Sequence, residues 1–149
     1  MCNHVAVYIY VNYNYWKQCR VTQKIKNKHI GTHFTVEHCD KAMESFEAAL
    51  VSVTPHKKKK TVTNALIQLI DRLANGKRMS QENFPQEGNL PQGKGKFNAF
   101  KKIPVRAYCW LSTKHPNTYF ISHYTYKDKQ KLDKRDIDRV HANWNSKEK

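Results

Sequence analysis

Two hydrophobic periods run along this chain, and the changes between them mark its elements. Val5–Val11 is rich in β-branched and aromatic residues and reads as a strand, with Tyr8, Tyr10, Tyr13 and Tyr15 at short spacing. Lys17 to Lys28 is basic and has no period, so residues 1–31 read as an extension made of one strand and a loose arm. Thr32–Glu37 alternates and predicts a strand with Phe34 and Val36 on one face. The period then lengthens. Asp40 is placed to cap a helix whose stripe is Met43, Phe46, Leu50 and Val53. Thr54-Pro55 opens a second helix with the stripe Val62, Leu66, Leu69, Ile70 and Leu73, and Asn75-Gly76 closes it.

Lys77–Lys96 carries Pro85, Gly88, Pro91, Gly93 and Gly95 and reads as a connector. Phe97–Ser112 returns to a period of two. Ile103, Val105, Ala107, Cys109 and Leu111 fall on one face, and Lys102, Arg106, Tyr108 and Trp110 on the other. Lys114–Asn117 predicts a hairpin loop and Tyr119–Tyr126 a further strand. Lys134–Trp144 predicts a short helix with Ile137, Val140 and Trp144 as its apolar side. Helices grouped ahead of a run of strands predict an α+β domain over residues 32–149: an antiparallel sheet, two helices on one face, and a short C-terminal helix. In that arrangement the Ile103–Leu111 row meets the helices. The row of Lys102, Arg106, Tyr108 and Trp110 faces solvent.

Composition narrows the class. A chain of 149 residues, 39% hydrophobic and 11% aromatic, is one folded domain with an extension. No apolar run approaches the ~20 residues of a membrane helix, and Val5–Val11 lacks the basic start and length of a secretory signal. Cys2, Cys19, Cys39 and Cys109 are scattered, which predicts free thiols and a cytoplasmic location. The formal charge is +15, with +5 in residues 1–31 and +7 in residues 101–149. Such a charge predicts a polyanionic partner, nucleic acid or acidic protein. Lys57–Lys60 reads as a solvated entry turn of the second helix.

The run Phe120–Ile137 is the most specific string in the chain. It resembles the C-terminal segment of the RelE/ParE toxin superfamily, in its HigB-like, phage-derived branch. There a last apolar strand ends in a His followed two residues on by an aromatic, then a Lys-rich stretch with a Gln-Lys pair, then a helix start that is basic and acidic. His123, Thr125, Lys127, Gln130, Lys131 and the Lys134-Arg135-Asp136-Ile137 block take those places. Thr125 stands in the aromatic position with Tyr124 and Tyr126 beside it, and Asp133 stands where a Pro is common. Upstream, a strand, two helices, a connector and strands arrive in the family's order, and Arg106-Ala107-Tyr108 resembles its central-strand pattern. Residues 1–31 have no counterpart. The resemblance implies a RelE-like fold and a type II toxin: an endoribonuclease that cuts mRNA on the ribosome and is held inactive by a cognate antitoxin, acidic to match this charge.

The residues themselves allow metal-free RNA cleavage. That reaction needs a base for the 2′-OH, cations for the phosphorane, and an acid for the leaving oxygen. The expected catalytic set is Arg106, His123, Tyr126 and Lys127. Lys101, Lys102, Tyr108, Lys129 and Lys131 are the expected RNA contacts, since cations meet phosphates and aromatics stack on bases. Residues 97–127 contain no Asp or Glu, and His38-Cys39 and Cys2-x-His4 lack partners at zinc spacing. Neither a metal nor another cofactor is therefore expected. Two alternatives remain. One is a ParE-like toxin that binds DNA gyrase without cutting RNA. The other is an RNA-binding module without chemistry.

Overall fold

The computed structural model describes residues 24–129 and 131–149, so the strand expected at Val5–Val11, Cys2 and Cys19 lie outside the described residues. The chain folds as a mixed α+β domain. Among the described residues six strands, β1 (Lys28–Ile30), β2 (Thr35–His38), β3 (Gln86–Asn89), β4 (Lys96–Lys102), β5 (Val105–Leu111) and β6 (Thr118–Tyr126), form one sheet in the order β1-β2-β6-β5-β4-β3. The α-helices of the described residues, α1 (Ala42–Val51), α2 (His56–Ala74) and α3 (Lys134–Glu148), lie on its faces.

The sheet is not wholly antiparallel, as the sequence suggested. β2 runs parallel to β6, with Val36 opposite Tyr119, while the other neighbours are antiparallel. Parallel neighbours need a long crossover, and everything from α1 to β5 supplies it.

The two helical stripes pack as their period requires. Phe46 of α1 and Leu66 and Ile70 of α2 join Val36, Phe100 and Ile121 in one core. Pro55 precedes α2, and Gly76, at φ +67°, ends it. The start of α1 differs from expectation. Asp40 makes no cap, and the turn enters through Lys41 at φ 62°.

Two strands lie where none was expected. β1 falls within the supposed extension, yet it pairs with β2, and Ile25 is buried in the core. Gly31 makes this turn possible. A Cβ there would sit 2.2 Å from the Ala74 carbonyl oxygen, which accepts from the amides of His33 and Phe34. β3 falls within the connector and pairs with β4.

The larger correction concerns the face opposite α1 and α2. The row of Lys102, Arg106, Tyr108 and Trp110 does not face solvent. α3 covers it: Tyr108 and Trp110 are fully buried with Phe97, Phe120, Val140 and Trp144, and Arg106 is 5% exposed. An apolar helix stripe must be buried somewhere, and this strand face is its partner. Lys102 leaves the row altogether. Ile103-Pro104 turns the chain, so Lys101 lies opposite Arg106 and Lys102 opposite Val105, on the other face. Ile103 sits at that turn and is exposed.

A bulge adjusts β6. Tyr108 pairs with His123 but Cys109 with Ile121, leaving Ser122 as the extra residue. Phe120 and His123 therefore both turn towards α3, although they are three apart.

Candidate functional site

The N-terminal turn of α3 meets the end of β6 and the middle of β5, and charged groups gather at this junction. Asp133 caps α3 by accepting from the Arg135 amide at 2.9 Å. This leaves Asp136, one residue further on, to turn its carboxylate onto the sheet. Its Oδ1 accepts from His123 Nε2 at 3.2 Å, and its Oδ2 from Tyr108 Oη at 3.3 Å and Lys127 Nζ at 3.1 Å. Lys127 Nζ also donates to the Lys131 carbonyl at 2.8 Å.

The Asp136 carboxylate only accepts, so His123 Nε2 carries the proton given to it. Ser122 Oγ, which accepts from Asn143 Nδ2 at 2.8 Å, lies 2.9 Å from His123 Nδ1, and in the neutral ring the Ser122 hydroxyl donates to that nitrogen. Burial is the main force holding the His123 pKa below the ordinary value, against the raising effect of Asp136. Burial also pushes the Asp136 carboxyl up. The hydrogen bonds and charges of His123 and Lys127 outweigh that, so the group stays below the usual range and ionised. Burial, then the neighbouring Asp136 charge, pushes the Tyr108 phenol up.

These facts revise the expected site. His123 is 1% exposed and Tyr108 fully buried, so neither meets a substrate in this conformation. Arg106 pairs with Glu87 of β3 at 3.3 Å, and both side chains are largely buried. Lys101 and Lys102 line a small separate recess with Asn83 and Ile103. By contrast, Tyr126, Lys127, Lys129 and Lys131 share one open cleft with Lys134 and Arg135 of α3. Asp128, Asp133 and Asp136 line the same cleft, so five cations stand against three carboxylates. The side chain of Lys127 is 11% exposed and forms the floor, and Tyr126 is 40% exposed.

Sequence reasoning did not identify Glu87 and Asp136. It found no acid between residues 97 and 127. The carboxylates arrive from β3 and α3, on either side of that stretch. The signal for Asp136 was its place in the Lys134–Ile137 block.

A second buried network lies on the other face. His38 Nδ1 donates to the Asn27 carbonyl at 3.0 Å, and Nε2 accepts from Tyr124 Oη at 2.7 Å. Burial lowers the His38 pKa to about 4. The far end of α3 is fastened as well. Glu148 accepts from Trp110 Nε1 at 3.0 Å and from the amides of Thr113 at 3.2 Å and Lys114 at 3.0 Å.

Among the described residues no three His, Cys, Asp or Glu side chains converge as a metal-binding group, and no helix is long and apolar enough to cross a membrane. No protein-family model matches this chain, and no curated protein or solved structure matches it either.

Proposed function

We propose that this chain is a type II toxin of RelE-like fold, HigB-like in its C-terminal segment, acting as a metal-independent mRNA endoribonuclease on the ribosome and neutralised by an acidic antitoxin. The observation that carries the reading is the convergence of Lys127, Lys129, Lys131, Lys134 and Arg135 with Tyr126 in one cleft, built from the segment that resembles the family. Cations spaced along a cleft suit a phosphodiester backbone, and an exposed phenol at its wall suits a base or a leaving oxygen.

The chemistry assigned to the cleft is transesterification. The 2′-oxygen attacks phosphorus and passes its proton to solvent water, the P–O5′ bond breaks, and the 5′-oxygen takes a proton from Tyr126, whose phenol is reprotonated from solvent. The products are a 2′,3′-cyclic phosphate and a 5′-hydroxyl. Lys127 is placed to neutralise the phosphorane, and Tyr126 to stack on a base or protonate the leaving oxygen. His123 acts from behind, through Asp136. Arg106 lies on the same face of β5 as Tyr108 and pairs with Glu87, outside the cleft lining.

One observation favours a second reading. Arg106 and Lys127 already have carboxylate partners, and His123 is buried. The exposed lysines alone would make an RNA-binding module without chemistry.

Controlled expression in a bacterial host with mapping of transcript 5′ ends separates these readings. The proposal expects growth arrest with new internal ends in mRNA, both lost in Lys127→Met. Arrest with intact transcripts and broken DNA would point to gyrase. RNA binding by the purified protein without arrest or cutting would leave the binding module.

A further inference from the structure

We propose that Asp136 is a positioning residue of the cleft: from the first turn of α3 it fixes the Lys127 ammonium so that one of its N–H groups is left for a phosphate oxygen. This rests on the reading of the cleft as an RNA site and deepens it by naming what sets the geometry.

An Asp in the first turn of a helix has an ordinary explanation, favourable contact with the helix dipole. That explanation is insufficient here. Asp133 already accepts from the first-turn amide, and Asp136, 9% exposed, spends its oxygens on three side chains, two in the sheet and one just after it. A lysine ammonium carries three N–H donors on a flexible four-carbon stem. Two of those donors go to Asp136 Oδ2 and the Lys131 carbonyl. The remaining one belongs to a group on the cleft floor. Without Asp136 the stem keeps one anchor, the carbonyl of a residue in the cleft wall itself.

The carboxylate is in turn held still. His123 fixes Oδ1, Ser122 holds His123, and Asn143 donates in turn to Ser122. The Tyr108 hydroxyl donates to the same Oδ2 as Lys127. The groups facing Asp136 are thus Tyr108 from β5, His123 from β6, Lys127 just beyond the end of β6, and its own helix turn. A chain of buried hydrogen bonds ending in one cation on a cleft floor is the form that pre-organised charge stabilisation takes.

Two measurements test this. The first is single-turnover cleavage of a defined mRNA on programmed ribosomes by the full chain, Asp136→Asn, Lys127→Met and the double variant. The Asn side chain keeps the size and an acceptor oxygen but removes the charge. The saturating rate should fall by up to about 100-fold, the cost of a roughly 1 Å misplacement, with half-saturation little changed. In the Lys127→Met background the same change should cost nothing further. Equal losses in both backgrounds, or a loss confined to half-saturation, would overturn the proposal.

The second is lysine acetylation by an N-hydroxysuccinimide ester, read residue by residue by mass spectrometry without RNA. Lys127 should react far more slowly than Lys129 in the wild type and at a similar rate in Asp136→Asn. Unchanged Lys127 reactivity would overturn the positioning role whatever the RNA result. Release of Lys127 in a protein whose wild type cuts no RNA would support the anchoring and retire the RNA reading alone. Should the Asn variant fail to fold, Asp136→Glu displaces the same ammonium with the charge kept. It is expected to retain more activity than Lys127→Met, and activity as low as that of Lys127→Met would count against the proposal.

Discussion

Trp110 Nε1 lies 3.0 Å from Glu148 Oε1, so the last turn of α3 is tied to the central strand of the sheet. The carboxylate also accepts from Thr113 and Lys114 in the β5–β6 turn. Hydrogen bonds to a charged group are worth more than neutral ones, although partial exposure reduces this. Glu148→Ala should cost about 1–3 kcal/mol, and Trp110→Ala about 3–5 kcal/mol, because the second also opens a cavity in the layer beneath α3. Denaturant midpoints measure both. If Glu148→Ala leaves the midpoint unchanged, α3 is held by its apolar stripe alone.

Acid should weaken the fold before its carboxylates titrate. His38 has a folded pKa of about 4 against an ordinary value of 6.5, because burial opposes its charge. As pH falls through this window the unfolded chain takes up a proton that the folded chain refuses, so stability falls. For one such group the loss between pH 7 and pH 5 is about 2 kcal/mol. His123 is shifted in the same direction, so its contribution has the same sign. Asp136 and Glu148, both held low, lose their contributions only below the ordinary carboxylate range. His38→Gln keeps an acceptor for Tyr124 and should flatten the decline between pH 7 and pH 5. An unaltered slope in that variant would remove His38 from the account.

Much of the fold was legible in the chain. The stripes of α1 and α2, the Asn75-Gly76 stop and the start of α3 are local signals, and local sequence carried them. β1 and β3 were missed for a physical reason. Neither Lys28-His29-Ile30 nor Gln86–Asn89 has β-rich composition, and both become strands by pairing with β2 and β4 at the two edges. The exposed face inferred for Arg106, Tyr108 and Trp110 failed through tertiary context. An alternating strand has two faces, and only the docking of α3 decides that both are buried. The direction of His123 was illegible because the bulge at Ser122 breaks the period of two. The cationic tail was legible as charge, but the pairing of Lys127 with Asp136, like that of Arg106 with Glu87, depends on contacts across the fold.

The rim of the cleft should behave as a set of phosphate contacts. Lys129, Lys131, Lys134 and Arg135 line it together. Each cation that meets a phosphate of a single strand adds about 0.7 to the slope of log affinity against log salt. Lys129→Gln and Lys134→Gln should each lower that slope by about this amount, with similar losses for unrelated sequences. Lys101→Gln, on the separate recess by Ile103, should leave it nearly unchanged. Equal effects from Lys101 and Lys129 would mean that binding follows net charge and has no defined track.

The central claim is that the Lys127 cleft cuts RNA without a metal. The most direct measurement incubates the purified protein and its Lys127→Met variant with a programmed ribosome in excess chelator and analyses the new mRNA ends chemically. The account predicts cleavage that survives the chelator, leaves a 2′,3′-cyclic phosphate and a 5′-hydroxyl, and slows by about 100-fold or more in the variant, with a residual rate still measurable in single turnover. Intact mRNA, or cleavage that Lys127→Met leaves unchanged, would contradict it.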